Sequence, residues 1–297
     1  MFEDGASADG AYVILTPPGT DWSRDNRAYH FWARTDRNGS FLIPAVRPGT
    51  YTVTAVGADQ FDEFHLANQV VSGDRDLGTL RWQRVTFGTR LWQIGTADRS
   101  PGEFHGGNDF HHWGTWRDYP AQFPADVTFT IGQSAERNDW NYVQWNWYSR
   151  RNAWNIVFDL SHYPSGRATL TFGICMARGA EENGLADRRP ASVQILVNDR
   201  EITPLQVEPT DDDMGRSARQ NTVYRVVRLT FEASLLRRGT NVIQLRHTAG
   251  RLYREGDLLG ETAPGPGGIA YDAIRLEVAD ESVNSKQSAV ISGPSAP

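Results

Sequence analysis

Two residue types are almost missing from the 297-residue sequence: cysteine occurs only as Cys175 and lysine only as Lys286. A lone cysteine excludes an intrachain disulfide and a cysteine-built zinc site. Its place in the apolar run 171–176 makes it a buried small hydrophobe. Of 30 basic residues all but Lys286 are arginine, so lysine chemistry has almost no carrier and cations are presented as planar forks. No apolar run approaches the roughly 18 residues needed to span a bilayer. With 39% hydrophobic residues and a mean hydropathy of −0.52, the chain reads as a soluble protein without a membrane partner. Positive charge is in deficit, with a net charge of −6 and a pI near 5.7, which argues against a nucleic-acid partner. An acidic polysaccharide stays compatible with that balance, because a few arginines on one face suffice. There is no charged n-region or apolar h-region after Met1, so this chain shows no signal peptide. It is intracellular, or a piece that lacks its true start, and the strand count below favours the second.

What is present is short strands. From Ala11 the residues alternate: Tyr12, Ile14 and Thr16 take one face, Val13 and Leu15 the other, up to Pro17-Pro18-Gly19. Further strands are expected at 29–35, 40–43 after the turn Asp36-Arg37-Asn38-Gly39, 51–56 after Arg47-Pro48-Gly49, at Val70-Val71 and at 77–82. This predicts a small β-sandwich over 1–84, one strand short of the usual seven or so, as expected of an N-terminally truncated unit.

From 88 to 280 the loops lengthen and tryptophan concentrates, with Trp92, Trp113, Trp116, Trp140, Trp145, Trp147 and Trp154 being seven of ten. Strands are predicted at 155–160, 168–176, 192–197, 222–231, 241–247 and 269–278, with turns at Asn198-Asp199 and Arg238-Gly239-Thr240 and one helical turn within 232–237. The pattern fits an antiparallel jelly-roll sandwich, an architecture many lectin-like domains use. Residues 281–297 read as a disordered tail.

Chemistry-bearing residues gather beside the strand 91–94. Trp92 and the loop carrying Asp98, Arg99 and Glu103 are expected to lie against Asp139 and Trp140. Arg99 could take a uronate carboxylate while the acids hold it; equally, the charges could pin two loops together, with Asp139 included. Trp145 and Trp147 project from one face if 143–148 is a strand. They are then either sugar platforms or core. A glycosidase pair from Glu103 and Asp139 would need a suitable separation, which sequence does not give. His105, His111 and His112 lack the i, i+4 spacing of a helical zinc site and read as surface loop residues. No cofactor is required. A structural calcium would be gathered by Asp211, Asp212, Asp213 and Glu208, for which a solvated acidic loop is the simpler reading.

At these residues a resemblance becomes visible. The stretches 29–53 and 76–82, with Arg47-Pro48-Gly49-Thr50-Tyr51, resemble the middle, fibronectin-III-like domain of rhamnogalacturonan lyases of polysaccharide lyase family 4. Leu91-Trp92-Gln93-Ile94-Gly95, Asp98-Arg99, Glu103-Phe104, the run 129–132, Asp139-Trp140-Asn141-Tyr142 and the closing strand 268–277 resemble that family's C-terminal carbohydrate-binding-like domain. The resemblance implies an all-β chain in which a fibronectin-III-like sandwich precedes a carbohydrate-binding-like jelly roll. It also implies an extracellular or periplasmic setting, pectic rhamnogalacturonan I as partner, and β-elimination by an N-terminal catalytic domain or a partner chain. That domain carries the family's catalytic lysine and histidine, so no catalytic residue is assigned here. The alternatives are a pure scaffold that touches no sugar, and a self-sufficient enzyme that uses Glu103 or Asp139.

Overall fold

The computed structural model describes residues 1–22, 30–108, 119, 121–145, 153–179, 190–210, 224–247 and 267–279. These form two all-β units. No helix among them is long and apolar enough to cross a membrane.

The first unit is a four-stranded antiparallel sheet in the order β2-β1-β3-β4. Its strands are β1 (Tyr12–Thr16), β2 (Phe31–Arg34), β3 (Gly49–Gly57) and β4 (Gln60–Val71). Val13, Leu15, Val53 and Ala55 alternate inward and pack with Phe2, Tyr51 and Trp82. Two expected strands are not formed. The turn at Asp36 does close, with Gly39 N donating to Asp36 O at 2.8 Å, but residues 40–43 do not return as a ladder, and 77–82 contributes only an isolated bridge from Trp82 to Phe2. Phe41, Ile43, Leu77 and Leu80 nevertheless pack on the core. Their apolar alternation records burial without strand pairing. In the other direction, Val70-Val71 is the end of a twelve-residue strand, β4, whose polar outer half hides its period.

The second unit is a two-sheet sandwich, and its strands coincide closely with the predicted ones. One sheet runs β11-β10-β14-β8-β6, with β12 beside β10; the other runs β13-β9-β15-β5, with β7 beside β15. The members are β5 (Thr89–Gly95), β6 (Val127–Thr130), β7 (Gln144–Trp145), β8 (Ala153–Leu160), β9 (Arg167–Arg178), β10 (Ala191–Val197), β11 (Arg200–Glu201), β12 (Leu205–Val207), β13 (Arg225–Glu232), β14 (Gly239–His247) and β15 (Gly268–Ala279). The β10–β11 turn places Asn198 and Asp199 at φ 48° and 68°, the left-handed pair of a two-residue hairpin. The expected helical turn is a 3-10 turn at Ala233–Leu235.

β15 is buried along nearly its whole length, because both of its faces are covered. One lies on the sandwich core. The other receives the β3–β4 hairpin tip of the first unit, where Phe61 joins Ala97, Ala273 and Val226 in a small apolar cluster. A ring of charge surrounds this plug. Asp59 accepts from Gln93 Nε2 at 2.6 Å and sits 3.4 Å from Arg275 Nη2, Arg275 Nε donates to Gln93 Oε1 at 2.6 Å, and Arg228 Nη2 meets Asp62 at 2.5 Å. The motif strand β5 therefore has two faces with different tasks: Trp92 and Ile94 point into the sandwich and Gln93 toward the neighbouring unit.

Candidate functional site

The loop that follows β5 starts at Gly95, whose φ is +74°. A Cβ there would overlap the Asp272 carbonyl oxygen and the Phe104 ring. Gly95→Ala is therefore expected to cost more than about 1 kcal/mol, through both backbone strain and collision. A denaturation midpoint equal to that of the parent would refute this.

Beyond Gly95 the loop is held by one acid of its own and one from β15. Thr96 N donates to Glu103 Oε1 at 2.7 Å, and Ser100 N donates to Asp272 Oδ1 at 2.9 Å. The chain then passes Phe104 and runs beside the segment 140–142, with His105 N donating to Trp140 O at 2.8 Å and Tyr142 N to His105 O at 2.9 Å. The loop thus does meet Trp140, whose ring centroid lies 6.3 Å from that of Phe104. Asp139 is not part of the cluster: it is exposed, and its Oδ2 accepts from Ala135 N at 2.8 Å, closing the helical turn Glu136–Asp139.

Arg99 is placed differently from either expectation. It adopts φ 73° and turns toward the first unit, where Nη2 lies 3.2 Å from Glu63 Oε1 on β4 and 3.4 Å from Phe61 O. Its guanidinium carbon lies 3.6 Å from the centroid of the Tyr224 ring, a stacking the planar fork favours. The side chain is only 9% exposed, so Arg99 is committed to the junction between the units. A charged network does exist, but its partners are Glu63 and Tyr224.

Below Arg99 lies Asp272, which no local motif flagged. It sits where β15 and β9 slip register: Tyr271 faces Ile174 and Ala273 faces Gly173, leaving Asp272 and Cys175 without pairing partners in the ladder. Such a bulge re-aims a side chain. Here it directs the carboxylate at the loop, where it accepts from Ser100 N and, at 2.6 Å, from Tyr224 Oη. Burial pushes the Asp272 carboxyl up to about 8, with the Asp98 and Glu103 charges adding to the effect and the hydrogen bonds opposing it. Burial likewise raises Glu103 to about 7. It also raises Cys175, which is inert as a nucleophile in this state. The one signal in the sequence was an acid inside the apolar run 268–274.

Trp140, Trp92 and Trp145 are 0%, 5% and 7% exposed. Of the two alternatives for Trp145, platform or core, the structure takes the core, and Trp92 and Trp140, expected beside the charged loop, are core as well. Trp140 lies 4.7 Å, centroid to centroid, from Trp154, and it also meets Phe129 and Tyr271. An alternating strand shows which side chains share a face, but not which face is covered. Trp147, His111, His112 and Asp211, Asp212 and Asp213 lie outside the described residues. His105 is half-buried against Phe123, at 4.9 Å between centroids, and Glu208 is exposed.

Chemically, the cluster of Asp98, Arg99, Glu103, Tyr224 and Asp272 is suited to fastening. Its hydrogen bonds run mainly to loop amides and to the neighbouring unit, while Arg99 Nε and Nη1 have no hydrogen-bond partner among the described residues.

Comparison with known proteins adds an identity for each unit. Residues 90–276 match polysaccharide lyase family 4, domain III, described as CBM-like, and residues 6–72 match domain II of the same family, described as fn3-like. Rhamnogalacturonate lyase B of Emericella nidulans is 29% identical over 92% of this chain and 46% of its own length; the rhamnogalacturonate lyase of Dickeya dadantii is 30% identical over 91% and 42%. The chain thus spans less than half the length of these relatives. Among solved structures, a family 35 carbohydrate-binding module from an environmental isolate is similar, with TM-score 0.25 and 18% identity over 46% of this chain and 74% of the module.

Proposed function

Because this chain belongs to polysaccharide lyase family 4, of which it carries domains II and III in that order, we propose that it is the non-catalytic portion of a rhamnogalacturonan lyase, or an accessory protein to one. On this reading it binds the acidic pectic polysaccharide rhamnogalacturonan I while a separate catalytic domain or partner chain cleaves it by β-elimination. The observation that carries the reading is the ordered pair of domain matches. The arginine-rich cation set supports it, since guanidinium forks suit carboxylates. The same reading sets the protein outside the cytoplasm, where pectin degradation occurs.

A scaffold reading has one specific observation in its favour. Trp92, Trp140 and Trp145 are buried, and Arg99 is spent on the junction. Titration calorimetry of the intact chain with rhamnogalacturonan I oligosaccharides separates the two. Binding predicts heat that saturates; none at millimolar sugar would leave only the scaffold. The chain alone is expected to form no unsaturated uronate, and steady formation would overturn the non-catalytic assignment in favour of an enzyme that uses Glu103 or Asp139.

A further inference from the structure

The side chains best placed to meet a sugar lie on the first unit, away from the tryptophan-rich motif. Trp32 is 55% exposed and Tyr12 36%. The register sets Tyr12 opposite Arg34 and Ile14 opposite Trp32, so Tyr12, Trp32 and Arg34 share one face at the β2 edge of the sheet. The Tyr12 and Trp32 ring centroids are 5.8 Å apart, with planes inclined by 56°. Arg34 lies with its guanidinium carbon 5.5 Å from the Tyr12 centroid, and its Nε donates to Gly10 O at 3.1 Å.

This anchoring uses Nε, with Nη2 lying beside Gly10, and among the described residues neither terminal nitrogen of Arg34 makes a hydrogen bond. Arg34 is exposed, and among the described residues no carboxylate pairs with it. The nearby Asp36 is engaged by the amides of Asn38 and Ser40. By contrast Arg99, Arg228 and Arg275 each meet an acid of the first unit. An oriented, unneutralised fork beside an open indole, on a chain of net charge −6, is complementary to a ring that carries one carboxylate.

We propose that Tyr12, Trp32 and Arg34 form a subsite for a uronic-acid residue of an acidic polysaccharide. Trp32 takes the C–H face of the sugar ring, the two terminal nitrogens of Arg34 take its carboxylate in bidentate fashion, and Tyr12 holds the guanidinium in place. The proposal rests on the pectin-binding reading above and locates the contact on the fibronectin-III-like unit. The patch is too small for a stable protein partner, which needs about 800 Å² on each side. Two rings offering about 150–250 Å² each when fully buried match one or two sugar residues.

The test uses the intact chain with an oligogalacturonate and with the same oligosaccharide reduced at its carboxyls. Trp32→Ala and Arg34→Gln are each expected to weaken binding roughly tenfold or more, while Tyr163→Ala, which removes a 72% exposed ring on the other unit, leaves it unchanged. Arg34→Gln should also abolish the preference for the acidic form over the reduced one, an effect that loss of fold does not produce. Parental affinity in both Trp32→Ala and Arg34→Gln would overturn the subsite and leave the pectin-binding reading standing. Silence of the parent toward both sugars overturns the subsite, and only silence toward rhamnogalacturonan I oligosaccharides as well overturns the pectin-binding reading with it. Self-association that depends on Trp32 would assign the patch to a second copy and overturn the proposal.

Discussion

Trp140→Ala is expected to destabilise the protein by about 3–5 kcal/mol, with a fall in Tm on the order of 10 °C. The indole is fully buried among Phe104, Phe129, Trp154 and Tyr271, contributed by the loop after β5, by β6, β8 and β15. Truncation leaves a void which four separate segments would have to move to fill. Among the described residues the indole N–H has no hydrogen-bond partner, so Trp140→Phe removes an unsatisfied donor along with part of the volume and should cost well under half as much. Denaturant melts of the two variants measure this directly. If Trp140 were a sugar platform, Trp140→Ala would keep parental stability and lose only binding. That result would return the motif to the surface.

Asp272→Asn is expected to change the pH dependence of stability more than any other single replacement. The folded carboxyl titrates at about 8 against an ordinary 3.8. Between these values the folded protein holds a proton that the unfolded chain has released, so stability falls as pH rises from about 4 to about 8 and levels off above. The slope is about 1.4 kcal/mol per pH unit in mid-window. Asparagine keeps an acceptor for Ser100 N and a polar group for Tyr224 Oη but has nothing to ionise. The variant should match the parent near pH 4 and exceed it increasingly toward pH 9. Glu103, raised to about 7, contributes a loss of the same sign between about 4.5 and 7, so a shallower slope persists in the variant. Melts from pH 4 to 9 that give parallel curves for parent and variant would show that Asp272 is not the titrating group.

Most strands of the second unit were legible in the sequence because half-buried antiparallel strands alternate, as β10 and β14 do. β4 was not, since its outer half, from His65 onward, carries polar residues on both faces. Residues 40–43 misled for the opposite reason: Phe41 and Ile43 pack on the core from a chain that has no ladder. For the site, the motif residues drew attention to the right loop but to the wrong partners. Glu63 lies 36 positions from Arg99 and Tyr224 sits 48 from Asp272; contacts at that range leave no local spacing to read. The tryptophans were conspicuous for their size, which fits a large core as well as it fits a surface, and only tertiary packing separates the two.

β15 carries a kinetic implication. It enters between β5 and β9, pairing strands that begin far apart in the chain, and it also supplies Ala273 to the apolar plug and Arg275 to its charged ring. Until residues 268–279 have left the ribosome, the edges of β5 and β9 stand open and the first unit has no completed surface to dock on. Long-range closure of this kind slows folding and exposes unpaired edges while it lasts. The sandwich and the junction thus mature together and only after residues 268–279 have emerged, while the β1–β4 sheet, complete by residue 71, is free to form earlier.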